Sequence, residues 1–220
     1  GWYLWDSAIT GNEEFGSFVN CIADTVSSTG WLIRGGASAG ASRRIRLVNC
    51  WSANTGGTGM IFDGVEKSTI LGANLADNAQ HGLQLIDSSR LVFLGGQIDG
   101  FGANANQPGI RLTNSNDNVV MGFSVGGNNG TGKSVVENTG STGNLIAHNR
   151  LPSGGTRLTG SKWRDNAGYV NENAGTATIL NGTSSFVVTH GLAETPALAN
   201  VIVSCGGNLT TAGAASFWVD

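Results

Sequence analysis

A frame of constant length recurs along the chain. Gly59 to Asn74, Gly82 to Gln97, Gly109 to Ser124 and Ser134 to Asn149 are each separated by 15 positions. Each copy opens on a small residue, runs through an apolar strand, a polar turn and a second apolar strand, and closes on an amide or hydroxyl residue. A looser copy, Gly30 to Asn49, carries four extra residues around Gly36 to Ser42. A strand-turn-strand unit cannot bury its apolar face alone, so equal repetition predicts stacked coils about 4.8 Å apart whose backbones pair along the stack.

The pattern within a copy has the period of a strand. One and three positions after the small residue stand Met60 and Phe62, Leu83 and Leu85, Ile110 and Leu112; Val135 keeps the rule and Glu137 breaks it. The second strand contributes Ile70, Phe93, Val120 and Leu145 at one register. Composition agrees: 35 Gly, abundant Asn and only 12% charged residues describe a chain that turns often, because Gly and Asn tolerate the left-handed backbone of tight corners. The frame places Asn49, Asn74, Gln97, Ser124 and Asn149 over one another as a hydrogen-bonding ladder. Length variation falls in one loop per coil, Cys50 to Thr58, Leu75 to His81, Ile98 to Pro108 and Val125 to Lys133, and that variable side is the expected place for binding.

Several function classes are excluded. A net charge of -3 with 12 scattered basic residues provides no nucleic-acid footprint; the Arg43, Arg44, Arg46 group reads as a solvated coil edge. No apolar run is long enough to span a bilayer. Cys21, Cys50 and Cys205 are too few for a disulfide framework and have no zinc spacing, so they read as small core residues, and no cofactor or metal is expected. Gly127-Asn128-Asn129-Gly130-Thr131-Gly132-Lys133-Ser134 satisfies a phosphate-loop pattern, yet the helix that such a loop needs is replaced by another strand. The chain opens on Gly1-Trp2-Tyr3-Leu4 without an initiator Met and stops inside a strand candidate, so it reads as a segment of a longer protein.

Apolar repetition ends at Leu151. The expected organisation is coils over 1–151, a polar connector over 152–173, and a small antiparallel β-sandwich over 174–220, from strand candidates separated by Gly, Pro and Asn clusters. The fold class is therefore all-β, a right-handed single-stranded parallel β-helix followed by that sandwich.

The coil frame, Trp163-Arg164-Asp165-Asn166-Ala167-Gly168-Tyr169-Val170 and Thr189-His190-Gly191-Leu192 together resemble the pectate-lyase-like β-helix and C-terminal module of bacteriophage tailspike and tail-fibre proteins. The resemblance implies a homotrimer in the virion tail, assembled in the host cytoplasm beside other tail proteins and acting outside the cell. It also implies binding, and potential depolymerisation, of a host surface polysaccharide. Two rival readings stay open: a secreted polysaccharide lyase or glycoside hydrolase on the same coil, and a non-catalytic fibre or adhesin.

Glycan hydrolysis needs two carboxylates, one as acid and one as base or nucleophile. Asp77 and Asp99, in the variable loops of consecutive coils, are the candidates. Asp63, Gln84 and Arg111 are expected to project outward from the first strand on successive coils, with His81 beside them, as a sugar-binding strip. Trp51, two positions past the ladder, is the candidate for stacking on a sugar ring; Trp31 has the inward register of a core residue.

Overall fold

The computed structural model describes residues 1–5, 14–35, 43–103, 107–127 and 132–169. Every regular element among them is a strand. One sheet stacks β1 (Trp2–Trp5), β4 (Trp31–Arg34), β7 (Met60–Asp63), β9 (Leu83–Ile86), β11 (Ile110–Thr113), β13 (Val135–Glu137) and β15 (Gly155–Thr156) in sequence order. The other stacks β2 (Glu14–Val19), β5 (Arg43–Val48), β8 (Thr69–Ala76), β10 (Val92–Asp99), β12 (Val119–Val125), β14 (Leu145–Ala147) and β16 (Lys162–Arg164). Here β3 (Ile22–Asp24) pairs with β6 (Trp51–Ala53), and β6 with β8. All these pairings are parallel, each strand bonding to its counterpart one coil away. This is the parallel β-helix that the repeat predicts.

Sharp corners let short strands close into coils. Asn20, Asn49, Gly72, Gly95, Gly122, His148 and Asp165 all have φ between 50° and 75° and mark the same bend in successive coils. That region is open to Gly and, among side-chain residues, most readily to Asn and Asp, so the composition follows from the corners.

Alternation fills the interior. Trp31, Met60, Leu83, Ile110 and Val135 occupy one buried column, and Leu47, Ile70, Phe93, Val120, Ile146 and Trp163 another. Each such side chain removed from water stabilises the fold by roughly 1.5–3 kcal/mol. Serine and asparagine ladders in the interior satisfy backbone donors at the corners. Ser88 Oγ accepts from Val65 N, Ser115 Oγ from Ser88 N and Ser141 Oγ from Ser115 N, at 3.0–3.2 Å. Asn118 and Asn144 repeat the device, each Oδ1 accepting the backbone N–H one coil earlier while its Nδ2 reaches a carbonyl.

Three sequence expectations change. Asn74, Gln97 and Ser124 do share a column, but Asn49 is a corner residue over Gly72 and Asn149 sits inside, its Oδ1 accepting from Phe123 N. Both amides are displaced because the run before the shared bend is 13 positions from Gly59 to Gly72 but 19 from Gly30 to Asn49 and 14 from Ser134 to His148. The extra residue in the last run also puts Ile146, not the expected Leu145, over Val120. The ladder of hydrogen-bonded amides is Asn149 with Asn166, beside that of Asn118 with Asn144. Second, the coils do not stop at Leu151: β15 and β16 lie within the expected connector and extend both sheets, and Leu151 N donates to Ala167 O. The expected sandwich over 174–220, with His190, lies outside the described residues.

Third, the irregularity at Glu137 is built into the coil that precedes β15 and β16. Its buried carboxylate stands where Leu112 stands one coil earlier. Oε1 accepts from Asn144 Nδ2 (2.9 Å) and Ser161 Oγ (2.7 Å), and Oε2 from Leu158 N (3.0 Å) and Trp163 Nε1 (3.1 Å). A Cβ at Gly155 would lie 2.2 Å from the Trp163 ring, so the glycine makes room for the indole that Glu137 holds. Replacing Glu137 with Ala or Leu strands four donors in the interior, the Leu variant despite restoring the apolar alternation. We expect both to lower unfolding free energy by about 3 kcal/mol, measured by urea titration.

Candidate functional site

One outer strip carries in-register polar and aromatic side chains across the stack. Past the bend in the second sheet, Ile22 pairs with Trp51, Trp51 with Asn74, Asn74 with Gln97, Gln97 with Ser124 and Ser124 with Arg150. Six coils at about 4.8 Å give a strip roughly 24 Å long. Ile22 is 55% and Trp51 38% exposed, Asn74, Gln97 and Arg150 are exposed, and Ser124 is half-buried. Strand alternation determines this: the intervening Ser52, Leu75, Ile98 and Val125 point into the core.

Two positions further on, Asp24, Ala53, Ala76 and Asp99 form the neighbouring column, with Asp24 and Asp99 exposed at its ends. Asn54 Nδ2 donates to Asp24 Oδ1 at 3.0 Å and holds that carboxyl below its ordinary value. Asp77 and Asp99 both abut Gly100. Asp99 Oδ1 accepts Gly100 N at 3.0 Å, and a Cβ on Gly100 would lie 2.1 Å from Asp77 Oδ1. Asp77 N also donates to Asp99 O at 2.9 Å. Asp77 has φ 50° at a corner, so its backbone position alone favours Asp or Asn there. Arg150 reaches the same neighbourhood: a Cβ on Gly126 would have Arg150 Nη1 at 3.5 Å and Asp99 Oδ1 at 4.0 Å.

The second expected strip is not assembled. Gln84 pairs with Arg111, but the coil before them presents Ile61 at that register, and Asp63 pairs with Ile86. Asp63 is engaged by Arg34 Nε at 2.8 Å, and Arg111 Nε and Nη2 donate to the Asn138 amide oxygen at 2.8 and 3.3 Å. His81 is 3% exposed and turned inward, with Nδ1 2.9 Å from Pro108 O, so Nδ1 carries the proton. It precedes the tight Gly82 and follows the loop into the core, which removes it from any surface strip. Sequence reasoning placed Trp51 among the candidates and passed over Arg150, whose column becomes visible only once the bend near His148 is known.

The fold and this surface define a parallel β-solenoid protein with one in-register polar strip along an outer face. The family described as periplasmic copper-binding protein (NosD) matches residues 5–189, and the chain belongs to it. Two solved structures of the periplasmic alginate epimerase AlgG are similar. The mutant form shares 15% identity and a TM-score of 0.44 over 70% of this chain and 40% of that one. The other shares 13% identity and a TM-score of 0.42 over 71% and 43%. The chain spans less than half the length of either. A comparison with curated proteins found no match.

Burial pushes the His81 imidazole below its ordinary value, with the nearby Arg111 charge acting in the same direction. The native state therefore holds His81 neutral, while the unfolded chain takes up a proton as pH falls through about 6.5. Stability from this group is present above that pH and lost below it. Urea midpoints should fall between pH 7.5 and 5.5, and His81→Asn, which can still donate toward Pro108 O, should show a shallower fall.

Proposed function

We propose that the chain binds an extended polysaccharide along the strip from Trp51 to Arg150. The observation that carries this reading is the register of the strip: an aromatic face, two amides, a hydroxyl and a guanidinium stand on consecutive coils, all on one outer face. An indole packs on the apolar face of a sugar ring, and amides donate to and accept from its hydroxyls. A linear glycan lying along the coil axis meets one such group per coil.

Cleavage is the finer part of the proposal. Asp77 and Asp99, flanking Gly100 beside the strip, act as the acid and base or nucleophile for a bound glycan. Attachment of a phage tail to host polysaccharide, with this chain as a homotrimer, is a second reading. It is favoured by the apolar outer face of the second sheet, where Val48, Leu71, Leu94 and Met121 follow one another in register, with Leu94 40% exposed. Such a face suits contact with further copies of the chain.

The family description names copper, a metal held by imidazole, thiolate and thioether donors. Among the described residues no three His, Cys, Asp or Glu side chains converge. Met60 is sealed in the core, His81 is spent on Pro108 O, and burial raises the Cys50 thiol and so disfavours the thiolate a metal needs. The described residues do not fit a copper centre, and no step proposed for this chain runs through one.

Retention on immobilised bacterial polysaccharides, followed by calorimetry on the best binder, tests the reading. Trp51→Ala should weaken binding about tenfold, roughly 1.4 kcal/mol, with the circular dichroism spectrum unchanged. Equal affinity for the wild type, Trp51→Ala and Gln97→Ala would remove the strip as the binding surface. If the bound glycan is shortened, Asp77→Asn with Asp99→Asn should abolish shortening while leaving binding in place.

A further inference from the structure

We infer that Cys21 and Cys50 are a built-in site for an inter-coil disulfide, formed when the protein meets a disulfide oxidant. The two residues are 29 positions apart, the same spacing as Gly30 and Gly59, so they fall at one register on consecutive coils. The pairing of Ile22 with Trp51 confirms that register, as does the bond from Trp51 N to Cys21 O at 2.9 Å. In-register parallel neighbours stand about 4.8 Å apart, inside the Cα separation that a disulfide spans.

The side chains converge as well. Cys21 Sγ lies 3.5 Å from Val19 O, and Cys50 Sγ lies 3.5 Å from Phe18 O, the preceding carbonyl of the same strand. Cys50 thus reaches across to the coil that carries Cys21. Both are free thiols; Cys50 is 1% exposed and Cys21 half-buried. One position along that register the next coil has Ala73, so nothing competes for the pair.

Exposure sets the order of events. The Cys21 thiolate attacks a small disulfide such as oxidised glutathione, forming a mixed disulfide and releasing one glutathione thiol. The Cys50 thiolate then attacks the Cys21 sulfur, closing the inter-coil bond and expelling the second glutathione. Two cysteine thiols are oxidised, the donor disulfide is reduced to two thiols, and the two cysteine protons pass to them. Burial pushes the Cys50 thiol up, its carbonyl neighbours opposing only in part, so closure quickens as pH rises from 7 to 9. The bond would fasten the first described coil to the second and raise the unfolding midpoint by roughly 5 °C.

The experiment uses the whole chain carrying Cys205→Ala, incubated folded with oxidised glutathione and then digested without reduction. A peptide linking Cys21 to Cys50, the loss of two hydrogens in the intact mass and a midpoint that falls back on adding dithiothreitol are the expected results. Cys50→Ser should stop at a glutathione adduct on Cys21. A stable adduct on Cys21 with Cys50 still free in the unsubstituted pair would overturn the inference. So would two unreacted thiols after prolonged incubation, or a link that forms only in urea.

Discussion

The axial hydrogen bond between parallel, in-register backbones is what everything else rests on. Each short strand finds its partners one coil before and one coil after, so no strand of the stack interior has an unsatisfied edge. Such bonding demands that every coil repeat the same path, and the path includes corners that most side-chain residues enter only at a cost. Stacked positive-φ positions such as Asn49 over Gly72 and Asp77 beside Gly100 are the local consequence. The excess of Gly and Asn in the chain is therefore a property of the axial bonding, expressed residue by residue.

Closing a coil leaves corner amides facing the interior where water cannot reach them. Serine and asparagine ladders supply the missing acceptors, and they do so between coils, which ties neighbouring coils together a second time. Glu137 is the same solution carried to a carboxylate. Where the last described coil narrows at Gly155 and a tryptophan replaces the smaller apolar residues, one acidic side chain gathers four donors. The interior being so committed, the outward columns are free to vary, and the Trp51 to Arg150 strip is one such column.

Much of this architecture is legible in the sequence. Equal spacing identified the coil frame, alternation separated Met60 and Phe62 from their outward neighbours, and Trp31 read correctly as core. The misplaced ladder residues and the overlooked Arg150 share one cause. Counting along the chain assumes that each coil uses the same number of residues between landmarks, and the runs from Gly30 to Asn49 and from Ser134 to His148 carry extra residues before the bend. Those residues displaced two amides from the expected ladder and hid Arg150. The coil containing Trp163 was missed because its first strand is the two-residue Gly155–Thr156, too short to show alternation. His81 looked like a surface residue because the burial of a loop is not written in its own period.

By itself the sequence determined that the chain is a stack of parallel coils, since only stacking buries a recurring face that no single repeat can bury. It also determined which side of each strand faces inward. Only the tertiary structure decided which outward residues become neighbours, because adjacency on the surface depends on register between coils, and register depends on bends whose positions vary. The cysteines stand at that boundary: their spacing equals one coil, yet their pairing acquires meaning only when both sulfurs are found against consecutive carbonyls of one strand.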